Sequence, residues 1–323
     1  MAALSEFDVI DRYFRRPAKS AILGVGDDAA LVSPARGCEL AISVDMLVEG
    51  RHFDAGVDPE SLGHKTLAVN LSDMAAMAAK PRWALLAGAL PRADAAWLES
   101  FARGFFALAD VHGVELIGGD TTRGPLNLCV TILGEIPAGS ALRRAGARPG
   151  DSIWVTGRLG DAALALAHRR GDVKLDKDEL EASLRALMRP EPRVDFALRL
   201  RGVATSAIDV SDGLAGDLQH LLRASGVGAR IDIASLPRSA ALERLLGGGA
   251  RRAALQCLLA GGDDYELCFT AAPENDRAIA ERARATGVSA ARIGTIIEGS
   301  GLILRDERGI ALSPPPGFDH FAV

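Results

Sequence analysis

The chain has 323 residues, 48% hydrophobic and 24% charged, with a formal net charge of −5. This is a globular composition with material for about two domains, and its acidic balance excludes a basic surface for nucleic acid. No apolar run approaches the ~20 residues needed to span a bilayer, and the opening MAALSEFDVIDRYFRR lacks a signal peptide's apolar stretch, so no membrane association and a cytoplasmic location are expected. Only five of the 37 basic residues are lysines, which leaves few candidates for a phosphate-gripping lysine. Cys38, Cys129, Cys257 and Cys268 form no CxxC pair and read as small apolar side chains in a reducing compartment.

A helix opens the chain, with Ser5 as its cap, Asp8 completing a capping-box-like pair, and Phe7, Ile10 and Phe14 at helical spacing. Short strands are expected at 21–25, 29–32 and 40–43, then a helix from Pro59 to about Ala79, a strand at 83–90, a helix at 94–110, and strands at 114–117 and 126–136. The segment 137–150, rich in Pro, Gly, Ala and Arg, marks a boundary, giving domains 1–137 and 138–323. The second half continues with strands at 152–157, 205–210, 228–233, 265–270 and 291–297, and helices near 161–170, within 178–201 and at 214–225. Strands and helices mix throughout, so the class is α/β or α+β. LIGGD at 116–120 and LAGGDD at 259–264 look alike and hint at two related halves.

Five times an apolar run stops at aspartate: at Asp27–Asp28, Asp45, Asp120, Asp209–Val210–Ser211–Asp212, and Asp263–Asp264. Strand ends are where open α/β sheets place ligand crevices, although aspartate also serves turns and caps, and either role explains any single case. The recurrence favours a shared site. Asp73 lies in KTLAVNLSDMAAMAA, a helix apolar on nearly every face that should be buried. A carboxylate there needs a metal ion or a salt bridge from elsewhere in the fold. Converging carboxylates repel one another without cations, and hard oxygen ligands suit magnesium shared with substrate phosphates, whereas zinc or iron would want His or Cys.

Neither GxxxxGK[ST] nor a strand–GxGxxG–helix is present, so phosphate charge must be met mainly by metal ions, with Arg144 either a direct contact or a solvated arginine. No Ser-His-Asp or Cys-His nucleophile stands out, and His52 is an isolated loop histidine.

The segments GVGDDAAL (24–31), LAISVDMLVEGRHF (40–53), KTLAVNLSDMAAMAAKP (65–81), LIGGDTTRGP (116–125), AIDVSDGL (207–214), GGDDYELCFT (261–270) and GFDHF (317–321) resemble thiamine-monophosphate kinase, of the aminoimidazole-ribonucleotide-synthetase-like superfamily. The resemblance implies two α/β domains, the first binding ATP and magnesium and pairing its sheet with a second subunit, the second completing the active site. It implies a homodimer using ATP and several Mg2+ ions to phosphorylate thiamine monophosphate. It places Asp28, Asp45, Asp73, Asp120, Asp209 and Asp212 on magnesium-binding positions, with Ser43 and the Val44 backbone beside Asp45. Gly119, Arg144 and Ser211 fall on nucleotide contacts, and His52, Asp263 and Phe318 on the thiamine-phosphate side, Asp263 standing where the family often has glutamate. The implied reaction needs no covalent nucleophile or general base, because a phosphate-monoester acceptor with a second pKa near ~6 is already largely a dianion.

Other enzymes of the same fold are the nearest rivals. A selenophosphate synthetase would carry a reactive residue near the N-terminus, where the first cysteine is Cys38. A hydrogenase-maturation dehydratase would end in cysteine, and this chain ends in Val323. A nucleotide- or metal-binding regulator without turnover is the non-enzymatic alternative.

Overall fold

The computed structural model describes residues 4–306, 309–313 and 315. The chain folds into two compact units: one runs up to Met74 and takes in Ala79–Gly139, and the other combines Ala75–Ala78 with the chain from Ser140.

The first unit begins with α1 (Glu6–Val9), capped by Ser5 in a full capping box with Asp8. It runs into a π-helical turn, Ile10–Phe14, which buries Phe14. Phe7, expected on the apolar face, is 75% exposed. The four-residue helix and the wider π turn break the spacing that would have aligned it with Phe14. The runs at 21–25 and 29–32 are not strands. They meet through a single antiparallel bridge between Leu23 and Leu31 in an irregular loop.

The sheet consists of β1 (Cys38–Val48), β2 (Lys80–Leu90), β3 (Glu115–Arg123) and β4 (Asn127–Pro137), in the order β1-β4-β2-β3, with only β2 and β3 parallel. Besides α1, this unit has α2 (Pro59–Ala76), whose last two residues fall in the other unit, and α3 (Ala95–His112). As its composition requires, α2 is buried nearly throughout, including Leu62, Leu67, Leu71 and Met74. Its polar Thr66 and Asn70 turn back to the carbonyls of Leu62 and Thr66, so their burial leaves those donors satisfied. A Cβ on Gly63 would sit 2.1 Å from the Phe101 carbonyl oxygen, and one on Gly104 1.8 Å from that of Glu60, so these glycines allow α2 and α3 to touch backbone to backbone.

The second unit is built on β5 (Ser152–Thr156), α4 (Asp161–Arg170), α5 (Lys177–Met188), α6 (Val194–Leu200), β6 (Ala204–Val210), α7 (Leu214–Ser225) and β7 (Gly228–Asp232). It continues with α8 (Ala240–Leu246), α9 (Arg251–Ala260), β8 (Glu266–Ala271), α10 (Asp276–Thr286), β9 (Ala290–Ile297), β10 (Gly301–Arg305) and β11 (Ala311–Leu312). Among the described residues the strands form one sheet in the order β11-β10-β7-β9-β5-β8-β6, mostly antiparallel with β10 parallel to β7. Val155, Ile208, Leu218, Leu258 and Ile293 belong to its continuous core. The mixed α/β class matches expectation.

Two segments differ from their sequence-based expectation. LAGG before Asp263 is the end of helix α9, not a strand; short apolar runs do not distinguish the two. LIGGD lies within β3, so the two look-alike segments have different local structures.

Candidate active site

Asp45 and Asp120 sit inside their strands, three residues before the ends of β1 and β3, rather than at strand termini. Asp120 pairs across the parallel ladder with Ala87. The preceding Gly119 has φ +148°, and a Cβ there would lie 1.8 Å from the Leu86 carbonyl oxygen, so only glycine permits the approach that presents Asp120. Asp27, Asp28, Gly119 and Asp120 line one cavity of about 960 Å3 in the first unit. Asp28 N–H donates to Asp27 Oδ1 at 2.8 Å, closing the turn that carries both acids.

The segment leading to that turn is anchored by Glu115, at the start of β3. Its carboxylate accepts N–H bonds from Lys19 at 3.0 Å, Ser20 at 2.9 Å and Ala21 at 3.2 Å. Burial works against ionisation of Glu115, but the three amides outweigh it and hold its pKa below the ordinary value. Trp83 Nε1 adds a bond to Ser20 Oγ at 3.0 Å.

On β1, Ser43 and Asp45 alternate with the exposed Ile42, Val44 and Met46. Ser43 Oγ donates to Asp73 Oδ2 at 2.5 Å, joining strand to helix α2. Cys129, across β4, has its thiol pKa raised by partial burial and by the Asp45 charge. His52 follows β1, and its Nδ1 accepts the Val48 N–H at 3.0 Å, which puts the neutral ring's proton on Nε2.

In the second unit the residues converge on the turn between β6 and α7. Asp209 is buried at the end of β6, and Ser211 and Asp212 follow it. Asp217, in α7, accepts N–H bonds from both Ser211 and Asp212 at 3.0 Å. Burial and the Asp209 charge push the Asp217 pKa up to about 7, against the pull of those amides. The 261–265 loop lies against the same turn: Asp263 N–H donates to Ser211 O and Tyr265 N–H to Val210 O, each at 2.8 Å. Asp263 and Tyr265 have φ of +67° and +50°, a left-handed conformation uncommon for side-chain-bearing residues and often kept at functional sites. Tyr265 OH donates to Asp263 Oδ1 at 3.2 Å. Arg144 is exposed, and its carbonyl accepts from Ser225 Oγ at 3.0 Å. Phe318 lies outside the described residues.

The first unit therefore brings together Asp28, Gly119 and Asp120 around a cavity, and Ser43 and Asp73 on neighbouring elements. The second unit gathers Asp209, Ser211, Asp212 and Asp263. Sequence reasoning missed Glu115 and Asp217. An acid at position 217, in an otherwise apolar stretch of α7, was the one available signal.

The donors are carboxylates and a hydroxyl, the hard oxygen set that magnesium takes. Burial first, and the neighbouring Asp209 charge second, raise the Asp217 pKa. Among the described residues no three His, Cys, Asp or Glu side chains group closely enough to enclose a metal ion alone. Among them, too, no helix is long and apolar enough to cross a membrane.

Comparison with known proteins gives a consistent pattern. The family model of the AIR synthase related protein N-terminal domain matches residues 26–136, and that of the C-terminal domain residues 148–307. A thiamine-monophosphate kinase from Salmonella typhimurium is 45% identical over 327 residues, covering 99% of each chain. The crystal structure of thiamine-monophosphate kinase from Stenotrophomonas maltophilia K279a has a TM-score of 0.84 at 47% identity, covering 96% of this chain and 99% of that one. The structure of AaThiL complexed with AMPPCP and TMP has a TM-score of 0.77 at 30% identity, covering 90% of this chain and 89% of that one.

Proposed function

The chain belongs to the thiamine-monophosphate kinase family, and on that premise we propose that it transfers the γ-phosphoryl group of ATP to thiamine monophosphate in thiamine diphosphate biosynthesis. The observation that carries the reading is similarity over the full length of a relative named thiamine-monophosphate kinase, at 45% identity.

A terminal oxygen of the acceptor phosphate attacks the γ-phosphorus in line; the new P–O bond forms as the bond to the β-phosphate oxygen breaks, and ADP leaves. Since the acceptor's second pKa lies near ~6, the oxygen is deprotonated at neutral pH and no side chain need take a proton. The chain's work is to position two anions and to keep them from repelling each other.

Asp28, Asp45, Asp73, Asp120, Asp209 and Asp212, with Ser43 and the Val44 backbone, would hold the magnesium ions. When bound, Mg2+ neutralises charge on the phosphate oxygens and orients them for displacement. Ser43 keeps Asp73 directed through its hydrogen bond. Gly119 brings backbone close to the nucleotide phosphates, Ser211 contacts them from the β6–α7 turn, and Arg144 adds a forked cation. His52, Asp263 and Phe318 receive the thiamine phosphate.

The enzyme works in the cytoplasm as a homodimer. Support for the dimer comes from Ile42, Val44 and Met46, exposed side by side on edge strand β1 at 63%, 59% and 52%. Sedimentation of the purified protein tests it, and a monomer at micromolar concentration would remove this part of the proposal.

Incubating the protein with ATP, thiamine monophosphate and Mg2+ tests the activity. Thiamine diphosphate and ADP should appear together, and a chelator should stop both. ADP without thiamine diphosphate would redirect the assignment to another acceptor.

A further inference from the structure

The turn carrying Ser211 and Asp212 is held by a residue outside the donor set assigned above. Asp217 lies one turn into α7 and is 4% exposed. Its Oδ2 accepts the N–H groups of both Ser211 and Asp212 at 3.0 Å, while its own N–H donates to Gly213 O at 3.0 Å. In a capping box an acid in the first turn reaches back to the N-cap amide, as Asp8 does in α1, and a cap side chain before the helix reaches forward to first-turn amides. Here the N-cap position is Gly213, which has no side chain, and an acid inside the helix reaches back to the two amides that precede it.

For helix stability alone this is a poor choice. The carboxylate is buried on a helix whose Leu214 and Leu218 are also buried, and it carries the same charge as Asp209 and Asp212 nearby. An apolar side chain would avoid that cost. What the acid adds is a fixed backbone. The opposite side of the turn is also held, because Ser211 O accepts from Asp263 N–H and Val210 O from Tyr265 N–H, each at 2.8 Å. Asp217 on the amide side and the 261–265 loop on the carbonyl side hold the turn from both sides.

We propose that Asp217 is a positioning residue for phosphoryl transfer: by accepting the Ser211 and Asp212 amides it fixes the turn that aims those side chains and Asp209, without itself touching nucleotide or cation. The inference rests on the roles given to Asp209, Ser211 and Asp212 under the proposed function. It distinguishes Asp217 from a metal ligand, because an asparagine oxygen can accept the same two amides while lacking the charge a ligand would need.

Amide hydrogen exchange of the protein without nucleotide or cation tests the clamp directly, read at Ser211 and Asp212. Asp217→Ala should speed exchange at those two amides at least about tenfold while leaving the β6 amides unchanged. The same variant should weaken binding of a magnesium–ATP analogue, measured by calorimetry, by about 10- to 100-fold, the usual effect of losing an orienting partner. Asp217→Asn should keep both amides protected and restore analogue binding to within about threefold of wild type, and this variant keeps the side-chain volume if the alanine variant does not fold. Unchanged exchange at Ser211 and Asp212 in a folded alanine variant would overturn the proposal. So would an asparagine variant that loses analogue binding by about 10-fold or more while its amides stay protected, since that marks Asp217 as a ligand. The exchange measurement needs neither ATP nor acceptor, so failure of the clamp is read separately from failure of the kinase assignment, which product analysis reports.

Discussion

The Ser43 hydroxyl of β1 donates to the Asp73 carboxylate of α2 at 2.5 Å. This one contact ties an acid in an almost wholly buried helix to the strand that carries Asp45. It directs the Asp73 carboxylate, which the proposed magnesium role of Asp73 requires. Ser43→Ala should raise the Mg2+ concentration for half-maximal activity about tenfold or more and lower stability by about 1–2 kcal/mol. Ser43→Thr, which keeps the hydroxyl, should stay close to wild type. A magnesium titration with urea unfolding checks both, and an alanine variant with an unchanged Mg2+ requirement would detach Ser43 from the metal site.

Glu115 supports the other acid-bearing segment through the amides of Lys19, Ser20 and Ala21. Its folded pKa lies below the ordinary glutamate value of 4.5. Its contribution is therefore complete above 4.5 and is lost as the pH falls through the lower folded value. Glu115→Gln should melt below wild type at about pH 7, with the gap narrowing as the pH falls towards about 3. A gap independent of pH would show that the carboxylate charge is not what holds the segment.

Gly119 has a different constraint, from geometry rather than charge. Alanine there must push the Leu86 carbonyl from 1.8 Å and adopt φ +148°. Gly119→Ala should destabilise the protein by about 2–4 kcal/mol and weaken nucleotide binding at the same time, because β3 moves with Asp120. Calorimetric Tm and nucleotide affinity report the two effects. A variant as stable and tight-binding as wild type would contradict the close approach.

Much of this was legible in the sequence, for identifiable reasons. Regular periodicity marked most strands, and the capping signature Ser5–Asp8 placed the first helix. The apolar composition of 65–79 announced a buried helix, and α2 is one. Segments whose form depends on distant partners were misread. The loop at 21–32 has strand-like composition but pairs only through the Leu23–Leu31 bridge, and the residues entering it are tied to Glu115, some 95 residues away. Helices α8, α9 and α10 went unassigned, α9 because LLAGG reads equally as strand or helix. The acids proposed for the site stand out in the sequence because they recur and because the segments around them resemble a family. Glu115 and Asp217 were not, because each acts on backbone amides and no motif records that.

Removing single charges from the acid set should separate function from folding. Asp45→Asn and Asp212→Asn should each lower turnover by at least about a hundredfold while the thermal melt stays within a few degrees of wild type. Near-normal turnover in either folded variant would count against the magnesium assignment for that residue.

Direct transfer of the γ-phosphoryl group from ATP to thiamine monophosphate is best tested with γ-labelled ATP, following label into product and onto protein. Label should appear only in the terminal phosphate of thiamine diphosphate, with one ADP for each molecule formed and no labelled protein when the acceptor is left out. Label released as inorganic phosphate without thiamine diphosphate, or label retained on the protein, would contradict direct transfer.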